Sequence, residues 1–350
     1  MPALRPGLLL PSGLLLLAAL LLAACGDRDA AGEEQAAATP PTVVVYSARN
    51  EQLIGPMLQR YTELTGTPTE LVTASAGPLL ERLKAEGENT PADLLVTVDA
   101  GNLWQAAEAG LLQPLNSQAL NAAIPEYLRD PQGRWYGLSV RARTLVHHTQ
   151  RAPAASLSGY AALAEPAWAG RLCLRTSRKV YNQSLVAMLI AERGEGPTES
   201  IVRGWVENLA APPFPNDTAV MEAIQAGLCD VGIVNSYYFG RLQRDAQDAT
   251  LALHWPSEAV GGVHVNVSGA GVVKHADQAV AARNLLEWLA SPQAQRKFAG
   301  DNLEYPANPA VEAVPQVAAW GAYTPNLINV SEAGRLQADA VKLMDRAGYR

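Results

Sequence analysis

The chain has 350 residues, of which 48% are hydrophobic, and this is enough material for two compact lobes with buried cores. Its 27 Lys and Arg residues are outnumbered by 34 Asp and Glu residues, which gives a formal net charge of -7 at pH 7. Because the basic residues are also scattered, the chain lacks the concentrated positive face that nucleic acids require, and its composition argues against a nucleic-acid-binding protein.

The first residues indicate an exported protein. Arg5 precedes an apolar run at 8–22, which is too short and too weakly flanked for an ordinary membrane-spanning helix, and LAAC follows at 22–25. This pattern resembles the signal peptide and lipobox of bacterial lipoproteins, in which the cysteine becomes lipidated after cleavage. We therefore expect residues 1–25 to be a lipoprotein signal peptide and Cys25 to be the lipid anchor. An uncleaved anchor or a plain secretory signal is the alternative, and it also places the body outside the cytoplasm.

Residues 26–41 differ in composition from what precedes and follows them. They are rich in Ala, Asp, Glu, Thr and Pro and show no apolar periodicity, which is typical of a flexible tether. The folded body is therefore expected to start near Thr42.

Strand and helix patterns then alternate through the first third of the body. The predicted elements are a strand at 43–46, a helix at 51–64 that Gly66 ends, a strand at 70–72, a helix at 78–86, a strand at 93–98 and a helix at 104–109. This alternation predicts an α/β fold with a largely parallel sheet covered on both faces.

A second α/β unit follows. It contains strands at 137–147, 171–174, 230–235 and 264–273, and helices at 183–192, 217–226, 276–289 and 292–299. Asn216 is expected to cap the helix at 217–226 and Gly227 to end it.

In open α/β sheets, ligands bind outside the carboxyl ends of the strands. The residues that directly follow predicted strands are therefore candidates for binding. They are 47–50, 73–77, 98–101, the run from Arg141 to Arg143, Tyr181, Tyr237 and Tyr238.

Two cysteines remain in the body, Cys173 and Cys229. An exported protein lies in an oxidising compartment, so we expect a disulfide between them. Two separately buried thiols are the alternative, because spacing alone does not fix the distance between them.

An ordered set of motifs extends over nearly the whole mature chain. They are VVVYSAR at 43–49, ERLKAEGENTPADLLVTVDAG at 81–101, RWYGLSVRAR at 134–143, EPAWAGRLCLR at 165–175, VYNQSLVA at 180–187, GLCDVGIVNSYYFGRL at 227–242, HVNVSGAGV at 264–272 and EYPANP at 304–309. This set resembles the ferric-ion-binding family of periplasmic solute-binding proteins of ABC transporters.

The resemblance implies a two-lobed type II periplasmic binding protein with hinge strands crossing between the lobes. We expect lobe 1 to contain residues 42–143 and 263–312, and lobe 2 to contain residues 144–262 and 313–350. Asp93, Asp99 and Glu304 lie within the matching segments and are expected to be helix caps and hinge contacts.

The resemblance also implies the metal ligands. Tyr237 and Tyr238 match the family's paired tyrosines, and Tyr181 matches a third tyrosine found in one subgroup. Fe³⁺ is a hard ion that prefers anionic oxygen, and it can lower a phenol pKa of about 10 far enough to bind phenolate at neutral pH. The alternative is that one ring of the pair lies in the core and that Tyr181 packs against its own helix.

Three phenolates would balance the charge of Fe³⁺ but leave a six-coordinate ion short of donors. Water or an oxyanion, carbonate in many family members, is expected to complete the shell. Arg141 and Arg143 alternate on a strand, so both face one side and can bind such an anion or support the ligands from outside. Pairing with acidic surface groups is the alternative.

The sequence departs from the family in one loop. Many members supply a histidine, or a His-Tyr pair, after the first strand, whereas the loop at 47–51 reads SARNE and has no imidazole. Where some members have a carboxylate ligand, the nearest match is Gly77. We therefore expect a site of three tyrosines with exogenous ligands, or a cargo other than bare iron.

The resemblance implies a monomeric, lipid-anchored receptor in the periplasm or on the outer surface of the cell membrane, with Fe³⁺ as cargo and an ABC permease as partner. The alternative is the same fold with an oxyanion, a small organic carboxylate or a ferric chelate as cargo. An enzyme on this fold is a minor alternative, since the sequence shows no Gly-x-Ser-x-Gly motif or other nucleophile with a base.

Overall fold

The computed structural model describes residues 41–245, 250–257, 259 and 261–350. The predicted signal peptide with Cys25 lies outside these residues, and so does the predicted tether apart from Pro41. Within the described ranges, no helix combines the length and the apolar character needed to cross a membrane.

The chain alternates strands and helices, as predicted. The strands are β1 (Val43–Ser47), β2 (Thr69–Thr73), β3 (Leu94–Thr97), β4 (Tyr136–His148), β5 (Leu172–Cys173), β6 (Val231–Asn235), β7 (Leu251–His254), β8 (Val265–Val272) and β9 (Tyr305–Pro306). The helices are α1 (Glu51–Thr65), α2 (Ala76–Glu86), α3 (Ala100–Glu108), α4 (Gln118–Ala123), α5 (Val180–Arg193), α6 (Glu195–Glu207), α7 (Asp217–Gln225), α8 (Ser236–Asp245), α9 (Ala279–Ala290), α10 (Pro292–Gly300), α11 (Pro315–Ala318), α12 (Glu332–Arg335) and α13 (Gln337–Arg346).

The strands pair in the order β2-β1-β3-β8-β4-β6-β5, and β7 and β9 also pair with β4. β1 is parallel to β2 and β3, and β5 is parallel to β6, as strand-helix alternation predicts. The antiparallel pairs all contain β4 or β8. The prediction of a largely parallel sheet was therefore wrong: the sheet is mixed, because β4 and β8 connect the halves of the fold through antiparallel pairs.

Side-chain caps explain where helices begin and end. Asn50 accepts a hydrogen bond from the Gln52 backbone and starts α1, which ends at Gly66 in the left-handed conformation that glycine tolerates. Asn216 caps α7 through the Ala219 backbone N–H at 2.8 Å, as predicted.

Lobe 1 is the part of the chain that packs around one hydrophobic core. Strands β1, β3 and β8 lie at its centre, and α1, α3 and α9 cover them. Val45, Leu95, Trp135, Val267 and Leu286 are fully buried there.

Lobe 2 packs around a second core that includes Leu185, Trp205 and Ile233, with an adjoining cluster around Val220 and Ile224. Two cores in one α/β chain confirm the predicted two-lobed architecture. The predicted lobe boundaries stay a prediction; near the end of the chain, Val330 packs in the first core and Leu336 in the second.

Strand β4 belongs to both lobes. Its first part, up to Ala142, pairs with β8, and the residues from Arg143 onward pair with β6. The Tyr160 hydroxyl donates to the Arg143 carbonyl at 2.7 Å and accepts from the His264 backbone N–H at 3.0 Å. Tyr160 therefore connects β4 to the start of β8 where both strands cross between the lobes.

The predicted disulfide is present. Cys173 in β5 is bonded to Cys229, and their Cα atoms lie 5.9 Å apart. The bond joins two segments that are 56 residues apart in sequence. It lies in the second lobe, beside the buried Val220 and Ile224.

Candidate metal centre

The three predicted tyrosine ligands lie in the first turns of two helices. Tyr181 is the second residue of α5, which begins three residues earlier than predicted. Tyr237 and Tyr238 follow β6 directly, since α8 begins at Ser236 without an intervening loop. All three thus lie at amino ends of helices, where a developing negative charge on oxygen is favoured.

Tyr237 and Tyr238 point the same way. Their ring centres are 4.4 Å apart with an interplanar angle of 31°. Tyr237 is only 4% exposed, whereas Tyr238 and Tyr181 are partly exposed. Burial raises the pKa of Tyr237 well above its usual value, and negative charge on Tyr181 or Tyr238 raises it further. The three phenols are therefore close enough to interact.

Guanidinium groups surround these rings. Arg175 lies 5.1 Å from the Tyr181 ring centre, and its charge interacts with that of Tyr238. Arg241 lies 5.0 Å from the Tyr237 ring and 5.5 Å from the Tyr238 ring. Positive charge at these positions stabilises phenolate over phenol.

Arg141, one of the predicted anion-binding residues, also reaches the cluster. Its guanidinium lies 5.9 Å from the Tyr181 ring centre. It also donates to the carboxylate of Glu304 at 3.0 Å, to the Ser268 hydroxyl and to the Val98 carbonyl.

Glu304 balances two buried arginines. Its carboxylate pairs with Arg141 at 3.0 Å and with Arg49 at 3.1 Å. Burial alone would raise the pKa of Glu304, but the two guanidinium groups hold that pKa at about 2. Glu304 therefore links the loop after β1 to β4 and stays ionised at neutral pH, while its predicted role as a hinge contact stays a prediction.

Arg143, the other predicted anion-binding residue, points into lobe 2. Its donors go to Asn182 at 2.6 Å, Asn235 at 3.1 Å and Asp217 at 3.4 Å. Asp217 is shared, because it also accepts from Arg175 at 3.1 Å. Arg143 therefore meets the tyrosine cluster through Asn182 and Asp217.

The side chains of the loop after β1 have structural roles. Arg49 is buried against Glu304 and the Phe298 carbonyl, and Asn50 caps α1.

His264 lies just before β8 and is buried. Burial and the nearby Arg143 lower the pKa of His264 to about 3, so this imidazole stays neutral. Among the described residues, no group of three or more His, Cys, Asp or Glu side chains could hold a metal ion.

Two arginines beside the tyrosine rings, Arg175 and Arg241, were not predicted as site residues from the sequence. Arg175 directly follows the predicted strand at 171–174, so the rule that ligands bind at strand ends could have found it. Arg241 lies four residues after Tyr237, which places both on one face of α8.

The donor set suits a hard, highly charged cation. Phenol oxygens become anionic ligands when such an ion displaces their protons, and the part of the chain that the structure describes offers no soft thiol donor, because its two cysteines, Cys173 and Cys229, are bonded to each other. The tyrosines also fit an uncharged resting state, since three neutral phenols need no counter-ions.

Comparisons with known proteins agree over most of the chain. Residues 57–325 match the family described as bacterial extracellular solute-binding protein. Iron uptake protein A2 of Synechocystis is 45% identical over 88% of this chain and 90% of its own length. A Trichodesmium IdiA (FutA) structure in complex with iron and citrate ligands has a TM-score of 0.85 and 40% identity, covering 88% of this chain and 100% of that chain. The Mannheimia haemolytica ferric iron-binding protein A in an open conformation has a TM-score of 0.83 and 33% identity, covering 88% and 99%.

Proposed function

The chain belongs to the bacterial extracellular solute-binding protein family, and on that premise we propose that it captures Fe³⁺ through Tyr181, Tyr237 and Tyr238 and delivers it to an ABC permease. Its fold is the two-lobed type II periplasmic binding protein fold. A protein of this family binds a solute and is not an enzyme.

The convergence of three phenols carries the proposal. The rings come from two helices that are far apart in sequence, yet Tyr237 and Tyr238 pack 4.4 Å apart, and negative charge on either Tyr181 or Tyr238 raises the pKa of the buried Tyr237 further. A hydrophobic role alone does not explain why Arg141, Arg175 and Arg241 surround these rings. Phenolates bound to a trivalent cation account for both features.

Charge balance supports an additional anion. Glu304 pairs with both Arg49 and Arg141, and Asp217 pairs with both Arg143 and Arg175, so in each group two guanidinium groups share one carboxylate. Three phenolates neutralise the iron but not these arginines. Carbonate or a carboxylate on the open iron positions would neutralise them, with water filling any position left.

Arg141 and Arg175 are the proposed partners of that anion. Both lie beside the Tyr181 ring, and the Nε atom of Arg175 is buried without a hydrogen-bond partner. A buried donor without a partner is costly unless a ligand accepts its hydrogen. Arg143 acts from farther away, by holding Asn182 and Asp217 in place.

We also propose the cellular setting that the sequence predicts. Lipidation at Cys25 would hold a monomer by a tether at 26–41, in the periplasm or on the outer surface of the cell membrane, where a permease can receive the iron. Lobe 1 would comprise 42–143 and 263–312, and lobe 2 would comprise 144–262 and 313–350.

A ferric chelate is the second candidate cargo. The Trichodesmium protein was solved with iron and citrate ligands, and the excess positive charge around the tyrosines favours a polycarboxylate on the metal. The absence of an imidazole from the loop at 47–51 leaves room in the coordination shell for it.

Titration of the metal-free protein with Fe³⁺ tests the proposal. Phenolate bound to Fe³⁺ absorbs visible light, so the protein should become coloured with one ion per chain. Bicarbonate and citrate are compared as the accompanying anion, which separates the two cargoes. A protein that stays colourless with both anions would reject the tyrosine site.

A further inference from the structure

Asp99 is a fully buried carboxylate in the turn between β3 and α3. One oxygen accepts the Gly101 backbone N–H at 2.7 Å and thereby caps α3. The other accepts the Asn266 amide of β8 at 2.8 Å and the Ser184 hydroxyl at 3.0 Å. Asp99 is therefore the predicted helix cap, and its hydrogen bonds also connect α3, α5 and β8.

Ser184 connects Asp99 to the helix that carries Tyr181. It is 1% exposed and lies on α5, three residues after Tyr181, so the two side chains occupy one face of the helix. β3 and α3 pack in the core of lobe 1, whereas α5 packs in the core of lobe 2. The bond between Asp99 and Ser184 thus crosses between the lobes.

The same turn also holds Arg141. The carbonyl of Val98, the residue before Asp99, accepts a hydrogen bond from the Arg141 guanidinium. Two consecutive residues of lobe 1 therefore contact the helix that carries Tyr181 and the arginine that lies 5.9 Å from its ring. Displacement of this turn would move both groups.

We infer that the hydrogen bond between Asp99 and Ser184 positions Tyr181 for iron, which makes Asp99 and Ser184 positioning residues. This inference rests on the proposed iron site. Metal coordination requires donor atoms to be held within about 0.5 Å of their productive positions, and such precision comes from the residues behind the ligands. Asn182 fixes the start of α5 within lobe 2, and Ser184 fixes it against lobe 1.

A double-mutant cycle tests the inference. Fe³⁺ with bicarbonate is titrated into the metal-free wild type, Ser184→Ala, Tyr181→Phe and the double variant, and affinity is read from the visible absorption. We expect Ser184→Ala to weaken binding about tenfold in the wild type and to have little effect once Tyr181 lacks its hydroxyl. Equal weakening in both backgrounds, or none in the wild type, would overturn the inference.

Two aspartates provide a matched comparison. Asp93 is also buried in lobe 1 and accepts the backbone N–H groups of Val44 at 2.9 Å and Gln278 at 2.8 Å, with no contact to α5. Asp99→Asn should weaken iron binding as Ser184→Ala does, and Asp93→Asn should leave it unchanged. Equal losses in both Asn variants would contradict the inference. Failure of the unaltered protein to bind iron would reject the proposed function itself, and the inference with it.

Discussion

The ring centres of Tyr237 and Tyr238 lie 4.4 Å apart, although the residues are neighbours in sequence. On an extended strand, neighbouring side chains point to opposite faces. Here both residues lie in the first turn of α8, directly after β6 ends at Asn235. This change from strand to helix lets the two rings pack side by side, as the proposed iron site requires.

Replacing either paired tyrosine by phenylalanine should strongly weaken iron binding and reduce the visible absorption, because only two phenolates remain. Tyr237→Phe and Tyr238→Phe each remove one donor oxygen and leave the ring, so the fold should persist. The measurements are visible absorption with Fe³⁺ and a melting temperature without it. Tyr305→Phe is the control, because its ring packs in the same cluster and its buried hydroxyl has no hydrogen-bond partner. Iron affinity retained in both pair variants would reject their role.

Removing the charge of Arg175 should weaken iron binding without unfolding lobe 2. In Arg175→Gln, Asp217 keeps its bond to Arg143, but Tyr238 and the proposed anion lose a positive neighbour. We expect a loss of affinity of about 10- to 100-fold, typical for residues that support metal ligands. The loss should shrink as the pH rises, because phenolate then forms more readily.

Arg171→Gln is the matched control for Arg175→Gln. Arg171 is four residues away and pairs with Asp230 at a more exposed site. If both variants lose affinity equally, the effect of Arg175 does not depend on its contact with the tyrosines.

Glu304 should be essential for stability at neutral pH. Glu304→Gln leaves Arg49 and Arg141 buried without a carboxylate, which should lower the free energy of unfolding by about 3–5 kcal/mol. Denaturant unfolding of the metal-free protein at pH 7 measures this loss.

The pH dependence of the same variant follows from the pKa of Glu304. That pKa is about 2 in the folded protein and about 4.3 in an unfolded chain, so ionised Glu304 stabilises the fold above pH 4.3. This contribution disappears as the pH falls from 4.3 to 2. Wild type and Glu304→Gln should therefore converge in stability across that interval, and a constant difference would contradict the assignment.

The disulfide should stabilise the fold without taking part in binding. Replacing both Cys173 and Cys229 by alanine should cost about 2–4 kcal/mol, since the bond closes a long loop of the unfolded chain. At a temperature where the variant stays folded, iron affinity should match that of the wild type. Lost affinity in a folded variant would connect the bond to the site.

Local patterns predicted much of the fold because they are determined by near neighbours. Alternating strands and helices, the Asn216 cap and the glycine after α1 all follow from residues within one or two turns. The antiparallel pairing of β8 with β3 and β4 could not be predicted in this way. This pairing depends on the path by which the chain returns to lobe 1, and the local periodicity of the sequence does not predict that path.

The residues of the proposed site were predicted where motif and topology coincide. Tyr237 and Tyr238 stand at the end of a strand within a recognisable motif. The contact between Arg141 and Glu304 joins residues 163 positions apart, and the contact between Asp99 and Ser184 joins residues 85 positions apart. Such partners are set by tertiary packing, so the sequence indicated hinge contacts there without identifying the residues that pair.

A crystal structure of the iron-loaded protein would show directly whether the three tyrosines bind the metal. We expect one metal ion per chain, with the phenol oxygens of Tyr181, Tyr237 and Tyr238 all within bonding distance and an oxyanion or water on the remaining positions. An ion bound elsewhere, or phenol oxygens that point away from a shared centre, would contradict this expectation.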